Sequence, residues 1–166
     1  MNTRTNASYN LGYRPSLSNA GLEPTFETKA VDNLGEDRIV QIAEERLLTI
    51  FLENQEIVTL MTLGVFPELL ALGYLRNQGL VEHLESISSV HVDWTQGRVD
   101  VATFNRREIF SGSTYNENMA PLSRLTPKDK LPQSEVYKLL KNLASANKVY
   151  RTAGGVHGCA ICDNTE

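Results

Sequence analysis

The residues best suited to carry chemistry lie together in the last part of the chain. His157, Cys159 and Cys162 follow the glycine pair Gly154 and Gly155, and the two cysteines, spaced C-x-x-C, are the only ones in the sequence. A cysteine thiolate is a nucleophile and a metal ligand, and its pKa falls where polarised N–H groups begin a helix. If a helix begins near His157, the sequence predicts reactive thiols, with Cys159 as the nucleophile and Cys162 as the thiol that resolves it.

Two other interpretations of this cluster stay open. His157, Cys159 and Cys162 are ligand types that zinc accepts, although structural zinc sites usually take four protein ligands in separated pairs. The other histidines, His83 and His91, lie much earlier in the sequence. We therefore assign no metal site, and a small zinc or redox protein stays an alternative function. The simplest alternative is that small residues pack here near a frayed chain end.

A second candidate site is the pair Arg106 and Arg107, which opens a long segment rich in Ser, Asn, Pro and Gly. Guanidinium groups hydrogen-bond anionic ligands in a fixed fork geometry. Solvated surface charge is the alternative interpretation of the pair. The sequence contains no P-loop, dinucleotide-binding or Ser/His/Asp pattern, so none of those chemistries is predicted.

The elements that must position these residues follow from apolar patterning. Apolar runs predict four strands in two pairs, at residues 47–53, 56–62, 86–92 and 98–104. Pro67 suits the first turn of a helix and Gly79 suits its exit through a positive φ, so a helix is predicted between them. This helix is apolar nearly all round, which predicts burial against a sheet, with Gly73 allowing close backbone approach. The fold class predicted for residues 36–104 is an α+β domain of hairpins and one buried helix.

Three further segments flank this domain. Residues 1–35 contain too few large apolar residues to offset the entropy of ordering, which predicts a mobile N-terminal arm. Residues 105–131 lack periodicity and predict a long loop. Residues 132–166 show one helical pattern at 133–147, then a predicted short strand and a glycine turn. So small a segment cannot bury a core alone, which predicts an incomplete domain that something else completes.

Composition narrows the classes of function. The net charge is −4, and no block of Lys and Arg is available to neutralise a phosphate backbone, so generic nucleic-acid binding is disfavoured. No run approaches the roughly 18 apolar residues of a membrane span, and the first residues carry no secretory signal. We expect a cytoplasmic protein that binds neither nucleic acid nor membrane.

Three segments resemble motifs of one known family. Residues 44–47, Glu-Glu-Arg-Leu, look like its Glu-Glu-Pro-Leu strand entry. Residues 61–81, with Glu-Leu-Leu-Ala-Leu-Gly-Tyr-Leu at 68–75, are similar to its Met-Thr, Glu-Leu-Ala-Leu-Gly-Phe-Leu and Glu-Gly-Ile-Ile run. Residues 152–157 look like its Thr-Gly-Gly-Val-His motif. These motifs occur in the order of the family and with matching gaps. The chain therefore resembles about the first two thirds of a member of the formate dehydrogenase accessory sulfurtransferase (FdhD) family.

The resemblance implies a function, a fold and partners. The family carries sulfur as a cysteine persulfide from a cysteine desulfurase to the molybdenum cofactor, which is sulfurated before insertion into formate dehydrogenase. No cofactor is bound permanently; the bis-molybdopterin guanine dinucleotide form of molybdenum is the implied transient ligand. The family's fold is an α+β domain followed by a cytidine deaminase-like α/β domain, of which this chain holds only the beginning.

On this basis each candidate residue receives an expected role. Cys159 would carry the persulfide, Cys162 would resolve or assist it, and His157 would orient the group or shuttle a proton. The residues expected at the cofactor are the glycine and arginine pairs, Gly154, Gly155, Arg106 and Arg107. The expected activity is that of a persulfide-carrying sulfurtransferase.

The sequence also departs from the family. The loop that follows Arg106 and Arg107 lacks the usual Cys-Gly-x-Cys-Gly, and Ser113 cannot replace a thiol because S–S bonds form from thiolates. The chain also ends before the family's Glu-Asp-x-Gly-Arg-His-Asn motif. These departures favour an alternative: a non-catalytic or split-protein binding module of the same family. Such a module would dock a cysteine desulfurase, a formate dehydrogenase or a complementary C-terminal chain, and a homodimer is also expected as an alternative.

Overall fold

A computed structural model describes residues 14–104 and 131–162. The chain forms two compact units that interleave along the sequence. Unit 1 is built from Met1–Ala20, Leu48–Leu60 and Phe66–Tyr115, and unit 2 from Gly21–Leu47, Met61–Val65 and Asn116–Glu166.

The described residues form seven strands and three α-helices. The strands are β1 (Ser16–Leu17), β2 (Thr25–Val31), β3 (Asp37–Ala43), β4 (Arg46–Leu52), β5 (Gln55–Thr62), β6 (Ile87–Asp93) and β7 (Arg98–Thr103). The helices are α1 (Pro67–Asn77), α2 (Gln133–Ala146) and α3 (Lys148–Ala153). The fold is mixed α+β, as the sequence predicts. No helix within residues 14–104 or 131–162 has the length and apolar character needed to cross a membrane.

Unit 1 is a five-stranded mixed sheet in the order β1-β6-β7-β4-β5, and α1 lies against β6 and β7. Strands β6 and β7 are antiparallel, whereas β1 runs parallel to β6 and β4 runs parallel to β7. The buried side chains of β4 alternate along the strand because successive side chains point to opposite faces of a sheet. All buried apolar side chains among the described residues lie in this unit: Leu48, Ile50, Leu52, Ala71, Leu72, Leu75, Val81, Ile87, Val90, Val92, Val99 and Val101.

The hairpin between β4 and β5 has a tight connection at Glu53 and Asn54, one residue earlier than the gap at residues 54–55 between the predicted strands 47–53 and 56–62. Glu53 has φ +52° and Asn54 has φ +66°, the positive values that a type I′ turn requires at both central residues. Asparagine tolerates this region better than other residues do. The Glu53 carboxylate accepts hydrogen bonds from the backbone N–H and hydroxyl of Thr103, at 2.6 and 2.8 Å. These bonds hold the unusual conformation in place.

The prediction of a mobile N-terminal arm is wrong for residues 14–35, the part that the structure describes, because these residues contain β1 and β2. In unit 1, the buried Glu68 carboxylate accepts hydrogen bonds from the Ser18 hydroxyl at 2.6 Å and from the Ala20 N–H at 2.8 Å. The indole N–H of Trp94 donates to the Ala20 carbonyl at 2.6 Å. The segment is ordered by polar contacts to distant residues, which its own low apolar content does not show.

Gly73 also differs from its expected role. No atom lies within 4 Å of the position that a Cβ on Gly73 would occupy, apart from its own helix and chain neighbours. The expected close backbone approach is therefore absent. The buried face of α1 consists of Pro67, Glu68, Ala71, Leu72 and Leu75, and Gly73 lies on the exposed side.

Unit 2 contains the antiparallel pair β2 and β3, with Thr25 opposite Ala43 and Val31 opposite Asp37. Helix α3 lies against β3. The side chain of Arg46 donates from Nη1 to the backbone carbonyls of Glu23, Glu44 and Leu63, at 3.2, 3.3 and 3.2 Å. This arginine, which stands where the resembling family has proline, therefore ties together three separate stretches of unit 2.

Candidate functional site

The candidate site lies in the segment that follows α3. Helix α3 ends at Ala153, and Gly154 and Gly155 then take φ +65° and +64°. Glycine adopts these values without steric cost, so the pair ends the helix and turns the chain. The short strand predicted for residues 148–153 is wrong, because these residues form α3.

Residues 154–162 contain neither helix nor strand. No helix begins near His157, so the helix N-terminus on which the sequence argument for a stabilised thiolate depended is absent. We call residues 157–162 the thiol segment. Its cysteines are Cys159 and Cys162, and both are free thiols exposed to solvent.

Exposure extends over the whole thiol segment. Ile161, between the two cysteines, is fully exposed, and His157 is exposed as well. Sulfur atoms in this position are accessible to another protein or to a bulky ligand. Because no described side chain covers them, the two thiols meet the first requirement of a group that must reach into a partner's active site.

One contact ties the thiol segment to the helices of unit 2. The Asn147 side chain caps α3 by accepting a hydrogen bond from the Tyr150 N–H at 3.1 Å. Its Nδ2 atom lies where a Cβ on Gly158 would come within 2.6 Å. Any other residue at position 158 would require the Asn147 side chain to shift, so Gly158 lets the backbone next to Cys159 lie close to Asn147. Sequence reasoning missed this contact, although an asparagine before a short helix is a recognisable capping signal.

The glycine pair has a backbone role in the structure. No atom lies within 4 Å of a Cβ built on Gly154 or Gly155, so neither glycine is needed to make room for a neighbour. Their positive φ angles are what exclude other residues. The open space in front of them leaves a ligand room to approach.

A metal site at the thiol segment finds no support in the geometry. The described residues include His157, Cys159 and Cys162, yet they contain no group of three or more His, Cys, Asp or Glu residues placed to hold a metal ion. Arg106 and Arg107, the other candidates for ligand binding, lie outside the described residues.

The buried carboxylate of unit 1 was not singled out from the sequence. Glu68 is 5% exposed and follows Pro67 in the first turn of α1. Burial alone would raise the pKa of Glu68, but hydrogen bonds from the Ser18 hydroxyl and the Ala20 N–H outweigh burial, and the pKa lies below its ordinary value. This carboxylate is held as an ion and fastens β1, so its role is structural.

A second polar group in unit 1, the Arg98 side chain, also interacts with residues of its own unit. The guanidinium of Arg98 forms an ion pair with Asp100 and lies 3.6 Å from the centroid of the Phe51 ring. Ion pairing with Asp100 raises the pKa of Arg98 further above its ordinary value. The arginine is thus occupied on both sides, and the thiol segment stays the candidate with exposed reactive groups.

Comparison with known proteins identifies what the chain resembles. The sequence pattern of the FdhD/NarQ family matches residues 43–166. The chain is 26% identical over 145 residues to the sulfur carrier protein FdhD of Listeria monocytogenes serotype 4b, covering 75% of this chain and 55% of that protein. It is 24% identical over 144 residues to the sulfur carrier protein FdhD of Bacillus subtilis, covering 77% of this chain and 54% of that protein.

A solved structure shares the fold. The crystal structure of a candidate formate dehydrogenase accessory protein from Desulfotalea psychrophila matches with a TM-score of 0.56 and 23% sequence identity. The match covers 84% of this chain and 55% of that chain. The chain thus spans about half the length of the curated relatives and of the solved structure that it matches.

Proposed function

The chain belongs to the FdhD/NarQ family, and from this premise we propose that it is a sulfurtransferase-family accessory protein for formate dehydrogenase. It receives sulfur from a cysteine desulfurase as a persulfide and passes it to the molybdenum cofactor, which is the substrate. The curated relatives carry the name sulfur carrier protein. The thiol segment supplies the thiols that such a carrier needs.

The single observation that carries this proposal is the exposure of both cysteines in a segment without helix or strand. A carrier must first reach the desulfurase active site and then the cofactor, and exposed thiols on a short segment can enter both. At the desulfurase, the Cys159 thiolate attacks the outer sulfur of the enzyme persulfide. A new S–S bond forms on Cys159 and the desulfurase thiol leaves.

The other predicted residues receive roles in the same proposal. His157 lies two residues before Cys159 and shuttles the proton that the thiol loses. Gly154 and Gly155 leave open space for the cofactor at the base of the segment. Arg106 and Arg107 pair with its phosphates. The part of the family fold that this chain does not span, a cytidine deaminase-like domain in our proposal, completes the cofactor site.

The test is a transfer experiment with intact-mass detection. The variant Cys162→Ser, which keeps Cys159 as its only thiol, is incubated with a cysteine desulfurase and cysteine, and we expect a mass gain of one sulfur atom that a thiol reductant removes. A double variant, Cys159→Ala with Cys162→Ala, should show no gain. Ile161→Ala combined with Cys162→Ser is the matched control, since it changes a residue between positions 159 and 162 and keeps the Cys159 thiol. No gain in Cys162→Ser would refute the proposal.

A second candidate function is a binding module without sulfur transfer. It is favoured by one observation: none of the described residues of unit 2 is a buried apolar side chain. Its exposed large apolar residues are Leu22, Phe26, Val31, Leu34, Ile39, Ile42, Leu47, Met61, Leu131, Val136, Tyr137, Leu140, Tyr150 and Ile161. Such a surface is typical of contact with another polypeptide, either a complementary chain or a second copy.

Formate dehydrogenase activity in cells separates the two functions. Cells that depend on this chain are supplied with the wild type or with the cysteine-free double variant. A carrier loses dehydrogenase activity with the cysteines, whereas a binding module keeps it. Equal expression of the two forms, measured by immunoblot, is the control.

A further inference from the structure

We propose that the thiol segment delivers its sulfur in reduced form, because Cys162 closes a disulfide with Cys159 and expels the outer sulfur of the persulfide as hydrosulfide. This inference rests on the proposed function for the source of the persulfide. It adds the form in which the sulfur leaves, the fate of the two thiols and the kind of partner that restores them.

The reaction balances without an added oxidant. The Cys162 thiolate attacks the Sγ atom of Cys159, and a bond forms between the two Sγ atoms. The bond from Cys159 Sγ to the outer sulfur breaks, and that sulfur leaves with the electron pair as hydrosulfide. The two cysteine sulfurs are oxidised to a disulfide, and the carried sulfur is reduced by the same two electrons. The proton released when Cys162 ionises goes to water.

The spacing of the cysteines suits this ring closure. A disulfide holds its two Cα atoms about 4.4–6.8 Å apart, and a four-residue β-turn brings its first and last Cα atoms within about 7 Å. Residues 159–162 are four residues, so a β-turn formed over them would bring the two thiols within reach of each other. Fully extended, the same three steps would span about 10 Å, which is too far for the bond.

Nothing in the described structure opposes that turn. Cys159, Ala160, Ile161 and Cys162 are all exposed and belong to no helix or strand. Closing the turn therefore breaks no buried packing. The loop is short, so the entropy lost on closing it is small.

The contact between Asn147 and Gly158 distinguishes the two thiols. It places the backbone immediately before Cys159 beside the Asn147 side chain that caps α3. Cys162 lies three residues farther along, beyond the fully exposed Ile161. We therefore assign the persulfide to Cys159, the thiol nearer the α3 cap, and Cys162 is the thiol that moves to it.

One consequence concerns the partner that follows. With the disulfide closed, the chain has no thiol left, because these are its only two cysteines. A further round of sulfur transfer requires a dithiol reductant that opens the bond by thiol–disulfide exchange. The inference therefore predicts dependence on a protein or small-molecule dithiol.

The experiment follows a single loading of the reduced full chain with glutathione persulfide, after which excess donor is removed by rapid desalting. Hydrosulfide is trapped with monobromobimane, and the intact mass is read after alkylation. We expect about one hydrosulfide per chain and a protein mass lower than that of the reduced chain by two hydrogen atoms. Cys162→Ser should retain the extra sulfur and release hydrosulfide at least about tenfold more slowly. Ile161→Ala, with both thiols present, should match the wild type.

Two results would overturn the inference, and they differ. If the wild-type chain keeps its extra sulfur as long as Cys162→Ser does, the release step is wrong while sulfur carrying stands. If Cys162→Ser gains no sulfur from the donor or from the desulfurase, the carrier proposal fails as well.

Discussion

Single residues in this chain are held by polar contacts whose strength depends on charge. The Glu68 carboxylate accepts hydrogen bonds from Ser18 and Ala20, and Ser18 also accepts one from the Val92 N–H at 3.1 Å. Hydrogen bonds to an ionised group are stronger than neutral ones, and losing a buried acceptor leaves its donors unsatisfied. The position of β1 at the sheet edge therefore depends on one ionised side chain.

Replacing that carboxylate tests its role. Glu68→Ala should lower the free energy of unfolding at neutral pH by about 1–3 kcal/mol, because the Ala20 N–H and the Ser18 hydroxyl lose their acceptor. Glu68→Gln keeps an oxygen at the same position and should cost less. Urea unfolding followed by the fluorescence of Trp94, the only tryptophan, measures both.

The same residue gives a pH dependence with a definite sign. The pKa of Glu68 in the folded chain lies below its ordinary value of 4.5. Its stabilising contribution is therefore complete above that value and is lost as the pH falls through the lower folded-state pKa. Glu68→Gln should remove this part of the loss of stability at acid pH. An identical acid profile in the variant and the wild type would contradict the assignment.

Among the secondary-structure elements, those with a strong apolar pattern were predictable from the sequence. The hairpin of β4 and β5, the pair β6 and β7, and helices α1 and α2 all lie within a few residues of their predicted positions. Their side chains repeat with the period of a strand or a helix. Strands β1, β2 and β3 and helix α3 were missed, because they are held by distant hydrogen bonds, by the pairing of β2 with β3 and by the Asn147 cap.

The candidate site was predictable only in part. The chemistry of Cys159 and Cys162 follows from their residue type and spacing, and both are exposed. Their backbone conformation does not follow from the sequence, since a run of small residues with three glycines fits several conformations. The approach of Gly158 to Asn147 depends on where α2 ends and α3 begins, which no local pattern specifies.

Two glycines test the description of α1, because one lies inside the helix and the other follows its end. Gly73 lies inside the helix, exposed and with open space at its Cβ position, so Gly73→Ala should raise the free energy of unfolding by about 0.5–1 kcal/mol. Gly79 follows the helix with φ +68°, and Gly79→Ala should lower it by about 1–2 kcal/mol. Thermal unfolding by circular dichroism gives both values. Destabilisation by Gly73→Ala would mean that a neighbour approaches this face after all.

At the scale of the whole molecule, the two units differ in how they bury apolar surface. Unit 1 holds every buried apolar side chain of the described residues, whereas the apolar side chains of unit 2 are half-buried or exposed. The chain also spans about half the length of its curated relatives. Among the described residues of the isolated chain, the apolar burial that stabilises the fold therefore lies in unit 1.

Matched leucine substitutions test this distribution. Leu75 is 0% exposed in unit 1, and Leu75→Ala should lower the free energy of unfolding by about 2–5 kcal/mol because it leaves a cavity. Leu140 is 55% exposed on α2, and Leu140→Ala should change it by less than about 0.5 kcal/mol. Chemical denaturation of both variants under the same conditions gives the comparison. Similar losses for the two would place Leu140 in a core.

The interleaving of the units has a consequence for how this protein can evolve. Among the described residues, the chain passes from one unit to the other at residues 20–21, 47–48, 60–61 and 65–66. No single recombination point in a gene separates one unit from the other, and several of these crossings fall at or near the ends of paired strands. Exchange between related genes must therefore carry both units together, and changes in one are inherited alongside the other.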